Sequence, residues 1–166
     1  MNTIQIDKVL TKYVKYFQGV YPIDLLTSTL IKPSIIVISL DKHYMPGSHW
    51  VAVCIFYSGC AEYFDLYGLP PFKLEIKTFL QLHSISWTFN HHRLQGLTSK
   101  FCGHFCCIYS LHRTRGHSMT SYVNIFYLLA TLGTIKRQCA CSALSFESVP
   151  LAASWSSSSR ASRRHK

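Results

Sequence analysis

Residues 95–107 read QGLTSKFCGHFCC, with a glutamine seven residues ahead of a cysteine that opens an apolar helical run over about 102–115, closed by Gly116. A thiol in that place is chemically distinct. The unpaired N–H groups of a first helical turn and the helix macrodipole both favour the thiolate, and the thiolate is the nucleophile. Cys102 holds this position, and Gly103 behind it leaves room for a substrate carbonyl to approach the backbone amides. Cys106 and Cys107, one turn deeper, read as small hydrophobes. Taken alone, Cys102 is still more simply a buried structural thiol, so the rest of the chain has to decide.

Two stretches upstream supply what a nucleophilic thiol needs. Gly47-Ser48-His49-Trp50 stands at the mouth of a hydrophobic strand, where His49 can take a proton from a thiol and Trp50 can wall the cleft beside it. Asp65 lies in an aromatic stretch, EYFDLYG at 62–68, where a carboxylate needs a partner because burying it unpaired is costly. Orienting His49 would give it one, as the third member of a triad does. Residues 50–57 and 61–66 read as strands joined by the turn Ser58-Gly59-Cys60. That turn sets Asp65 opposite Val53, on the face of His49 but about 13 Å along the strand, so a bulge or a different turn has to shorten the distance.

Further out, apolar residues Ile6, Val9, Leu10, Tyr13, Val14 and Phe17 repeat with helical spacing, and Gly19 ends the helix they predict. Tyr21-Pro22 marks a turn. Residues 34–40 are rich in β-branched side chains and read as a buried strand. A helix is expected over 72–83 and a strand over 85–89, where Ile85, Trp87 and Phe89 alternate with polar residues. Ser118 can cap a last helix closed by Gly133. This order predicts an α+β domain with a central, mostly antiparallel sheet flanked by helices.

Length and composition bound the rest. A chain of 166 residues that is 48% hydrophobic and 14% aromatic suits one globular domain. The domain is expected over 1–137, followed at 138–166 by a serine-rich basic tail ending in RASRRHK and expected to be disordered. No apolar stretch reaches the ~20 residues of a membrane span, and Asp7 and Lys8 interrupt the place of a secretory leader. Seven cysteines at irregular spacing make a poor disulfide framework, which favours reduced thiols inside the cell, in cytoplasm or nucleus or with a virus-like particle. The formal charge of +10 permits non-specific DNA contact without specifying it.

The stretches FQGVYPID (17–24), PGSHWVA (46–52), YFDLYG (63–68) and QGLTSKFCG (95–103) together resemble the adenovirus-type (adenain-like) proteases, relatives of the enzymes that process ubiquitin-like proteins. With RGHSM at 115–119 the likeness is greatest to proteases of Maverick/Polinton transposons and related adenovirus-like elements. The resemblance covers about residues 16–126 and implies a papain-like cysteine protease fold of the adenain type. It makes Cys102 the nucleophile, His49 the general base and acid, Asp65 the residue that orients His49, and Gln95 the side-chain donor of the oxyanion hole. It implies cleavage of protein or peptide substrates after small residues such as glycine. No cofactor and no metal are expected. The adenoviral enzymes carry Glu where this chain has Asp65, whereas the ubiquitin-like-protein proteases carry Asp, and the cysteine that tethers an activating peptide in the adenoviral enzyme has no counterpart here.

Three other readings stand beside this one. A zinc module could draw on His91, His92, Cys102, His104, Cys106 and Cys107, but their spacing matches no finger pattern. A basic nucleic-acid-binding protein would rest on Arg113, Arg115 and the tail, without interleaved aromatic and basic residues. The fourth is an inactive relic of a mobile element, suggested by the serine-rich sequence into which the likeness fades near Leu128.

Overall fold

The structure is a computed structural model that describes residues 1–94 and 101–131, with side chains to residue 128. Gln95 and the expected tail at 138–166 therefore lie outside the described residues.

β2 (Ser34–Ser39) is apolar between its terminal serines and β3 (Trp50–Ile55) along its whole length, and every residue of both is buried. Such strands suit a sheet covered on both faces. They form the centre of a five-stranded sheet, with β1 (Phe17–Pro22) beyond β2, then β4 (Cys60–Phe64) and β5 (Ser86–Phe89) beyond β3. The central pairings β2–β3 and β3–β4 are antiparallel, and the two outer pairings are parallel.

Period-two alternation sends Ile35, Val37, Ala52, Cys54 and Phe64 to one face, where α1 (Thr3–Tyr13), α3 (Cys102–Thr114) and α4 (Met119–Thr131) pack. Ile36, Ile38, Val51, Val53 and Tyr63 go to the other, against α2 (Leu74–His83) and a 3₁₀ turn at Ile23–Leu25. The Phe64 ring stacks on Tyr109 at 4.3 Å and meets Tyr122 edge-on at 5.3 Å, which fixes α3 and α4 against the sheet. Ser118 caps α4 as expected, its Oγ accepting from Ser121 N–H at 3.0 Å.

Two sequence expectations are corrected. The first helix stops at Tyr13, and residues 17–22 form an edge strand that pairs with β2. Apolar spacing alone continues through Phe17, but Tyr16 takes a positive φ of 68° that breaks the helix. Pro22 is tolerated because an edge strand has one unpaired side.

The second correction concerns the hairpin. The tight turn is Tyr57-Ser58-Gly59, with Phe56 N–H bonded to Cys60 O at 2.9 Å and Gly59 at φ 82°. Val53 therefore pairs with Tyr63, and Ala52 with Phe64. Asp65 comes level with Val51, two residues closer to His49 than a turn at 58–60 would put it. An even shift keeps the face and shortens the gap.

Candidate active site

The first turn of α3 is seated on the start of β3. Cys106 Sγ lies 3.3 Å from Trp50 O, and one turn earlier Cys102 Sγ lies 3.8 Å from Ser48 O. Phe101 precedes the helix and gives it no side-chain cap, so the first N–H groups of α3 are not satisfied from that position. His49 enters β3 from the other side, its carbonyl accepting Leu40 N–H at 2.9 Å.

The structure brings His49 and Asp65 together. His49 Nε2 is 2.9 Å from Asp65 Oδ1, and the same oxygen accepts Tyr67 N–H at 3.0 Å. A carboxylate only accepts, so Nε2 carries the ring proton and Nδ1 is left to exchange a proton with the thiol. Both Nδ1 and Asp65 Oδ2 are buried and find no hydrogen-bond partner among the described residues. Tyr67 also lays its ring on the imidazole, centroids 4.7 Å apart and planes 25° from parallel. Asp65 is fully buried.

The charges of this group depend on one another. Burial pushes the His49 ring down, but Asp65 and then Cys102 more than offset it, and the ring is raised to about 9. Burial pushes the Cys102 thiol up, yet His49 and the backbone of Trp50 and Gly103 bring it below its ordinary value. The other two cysteines of α3 behave oppositely: burial takes Cys107 up to about 12 and Cys106 well above its ordinary value. Among the buried thiols described, Cys102 alone is shifted toward the reactive form.

The remaining expected residues divide. Trp50 is only 5% exposed, with its indole against Gly47, so it backs the loop that carries His49 from within. Beside Gly103 lies Ile6 rather than open space: an added Cβ would come within 2.9 Å of Ile6 Cδ1. Glycine is needed there for the packing of α1 on α3, and the site has use only of its backbone. Asn90 and Tyr67 were not anticipated. Asn90 is a buried side chain bonded to the main chain of Asp65, and no local spacing announces such a long-range bond. No three His, Cys, Asp or Glu among the described residues are placed to hold a metal ion, and no described helix is long and apolar enough to cross a membrane.

No protein-family model matches this chain, and no curated protein matches it. Solved structures do. The ASFV pS273R protease aligns with a TM-score of 0.50 at 17% identity over 78% of this chain. The fold is that of this protease. It is the papain-like cysteine protease fold that the resemblance implied, and the chain spans 65% of the length of the pS273R protease. Also similar are the central domain of the uncharacterized Lpg1148 protein from Legionella pneumophila, with a TM-score of 0.46, 20% identity and coverage of 84% of this chain and 89% of that one, and the SUMO protease Ulp1 with its catalytic cysteine oxidized to a sulfonic acid, with a TM-score of 0.44, 15% identity and coverage of 80% and 76%.

Proposed function

We propose that this chain is a cysteine endopeptidase, with Cys102 as nucleophile, His49 as general base and acid, and Asp65 orienting His49. The observation that carries the reading is the 2.9 Å bond from His49 Nε2 to a fully buried carboxylate, beside a thiol shifted toward its anion at a helix start. A structural histidine and a structural cysteine need no such arrangement.

In this reading the Cys102 thiolate attacks the scissile carbonyl carbon. The oxyanion that forms is held by the backbone N–H of Cys102 and the side chain of Gln95. His49 then gives its Nδ1 proton to the leaving amine as the C–N bond breaks, which leaves a thioester on Cys102. A water deprotonated by His49 attacks the thioester, releases the acid and returns the thiol. Asp65 holds the imidazole in the required tautomer throughout and stabilises the imidazolium. Trp50 supports Gly47 in the loop that carries His49, Gly103 contributes its backbone, and the residues before the cleaved bond would be small ones such as glycine. The substrates would be protein precursors of a virus-like or a ubiquitin-like kind.

The test is labelling of purified protein by a thiol-reactive peptide ending in glycine, with hydrolysis of the matching amide in parallel. Wild type is expected to label and to cleave, Cys102→Ala to do neither, and His49→Ala to label far more slowly. Labelling that survives Cys102→Ala removes the nucleophile from the proposal. A wild-type protein that neither labels nor cleaves favours an inactive relic.

A further inference from the structure

β4 and β5 run parallel, and their ladder ends with the pairing of Tyr63 and Phe89. Asn90 comes next. Its side chain does what a strand neighbour would have done one rung further on: Oδ1 accepts Asp65 N–H at 2.8 Å, and Nδ2 donates to Asp65 O at 2.6 Å. An amide side chain matches a peptide group in shape and polarity, so this pair satisfies both main-chain groups of Asp65 from one direction. Asn90 is 3% exposed, so neither bond is shared with bulk water.

The same Nδ2 donates to His92 O at 3.2 Å, which folds the chain after Asn90 back toward the turn of Asp65. Leu94 N–H then bonds Leu66 O at 3.0 Å. Gly68, at φ 69°, closes this contact: an added Cβ would stand 2.8 Å from the His92 carbonyl carbon. The turn that holds the acid and the segment that leads to Gln95 are therefore fastened to each other, and Asn90 lies at the centre of the joint.

We infer that Asn90 is the positioning residue of the His49–Asp65 pair, a side-chain rung that fixes the Asp65 backbone so that its carboxylate meets His49 Nε2. This rests on the peptidase reading and deepens it. Asp65 Oδ1 accepts from both His49 and Tyr67, and it moves with the Asp65 backbone, so fixing that backbone holds the oxygen against His49 Nε2. Asn90 touches neither thiol nor imidazole and acts through Asp65.

The experiment is the rate of Cys102 alkylation by iodoacetamide against pH, in wild type, Asn90→Ala and Asn90→Asp, with melting temperatures alongside. Asn90→Asp keeps an acceptor for Asp65 N–H but has no donor for Asp65 O and brings a second carboxylate close. Both variants are expected to move the alkylation midpoint upward by about one pH unit, which is about tenfold slower labelling near pH 6. They are also expected to lower kcat more than they raise KM. Variants that melt lower yet keep the wild-type midpoint overturn the inference and leave Asn90 a structural residue.

A measurement on wild type holds even if neither variant folds. The Asp65 amide, locked by Asn90, is expected to exchange its hydrogen as slowly as the amides of β3, and fast exchange there overturns the inference. Failure of the parent reading looks different: wild type would then show an ordinary thiol midpoint at Cys102.

Discussion

The two halves of α3 hold charge in opposite ways. At its start, Cys102 meets His49 and Asp65, and two buried polar atoms, His49 Nδ1 and Asp65 Oδ2, lack hydrogen-bond partners among the described residues. Two to three turns later, Tyr109 donates its hydroxyl to Glu62 Oε2 at 2.7 Å, and Arg113 Nε stands 2.8 Å from the same oxygen, close enough to pair although its N–H is out of line. Arg113 also covers the Phe56 ring at 4.9 Å. The second cluster uses its charges to join helix to sheet. The first leaves an imidazole nitrogen and a carboxylate oxygen unpaired next to a thiol. Both are polar and largely buried, so burial does not distinguish a site from a strut; an imidazole nitrogen left unpaired beside a thiol shifted toward its anion does.

Mutation should separate the two clusters cleanly. The largest effect is expected at the thiol: Cys102→Ala removes glycine-peptide hydrolysis, a loss of roughly 10⁴-fold or more in kcat by analogy with single knock-outs of catalytic nucleophiles, while its melting temperature stays near wild type. Next, Asp65→Asn should lower kcat by about 10²–10⁴, since an amide can hold the ring in the wrong tautomer and does not stabilise an imidazolium. Steady-state kinetics on the purified variant reads this directly. If Asp65→Asn instead melted far lower with kcat intact, the acid would belong with the struts.

Glu62→Ala should show the reverse pattern. Removing one partner leaves the largely buried Arg113 guanidinium without its carboxylate, a cost of about 2–3 kcal/mol, below the range for fully buried pairs because both groups keep some solvent. Urea denaturation would read the loss, while the alkylation midpoint of Cys102 stays unchanged.

The pH dependence of wild type sharpens the contrast further. The His49 ring is raised to about 9, so the stabilising charge it carries is fully present below the pH where an unfolded histidine titrates and is lost as pH rises through about 9. Cys102 is shifted the other way, so its thiolate persists on the acid side of an ordinary thiol. Hydrolysis is therefore expected to rise with pH through the lowered thiol and to fall near 9 as the imidazolium loses its proton. The smallest effect is expected from Tyr67→Leu, which removes a stacked ring worth about 0.5–1.5 kcal/mol and should slow labelling only several-fold.

Much of this arrangement was legible in the chain because it is written locally. The apolar run after Cys102 marks α3, the β-branched stretch before Leu40 marks β2, and His49 before a hydrophobic strand marks where β3 begins. What was not legible depends on partners far away in sequence. Residues 17–22 become a strand only because β2 is there to pair with them, and their apolar spacing does not exclude a helix. The register of β3 on β4 turned on whether the tight turn begins at Tyr57 or Ser58, one residue in the chain and two in the pairing. Asn90 carries no local signal, because the groups it bonds lie 25 residues away.

Helix starts ordinarily fray, since their first N–H groups lack partners within the helix. The start of α3 is under a different constraint, because Ile6 fills the hollow that Gly103 leaves and is itself fully buried. The first turn of α3 cannot lift away without opening α1 as well, which joins residues almost a hundred positions apart into one unit of local unfolding. A nucleophile on such a turn inherits the persistence of the hydrophobic interior, so the lifetime of the reactive geometry is set by how often α1 leaves its seat.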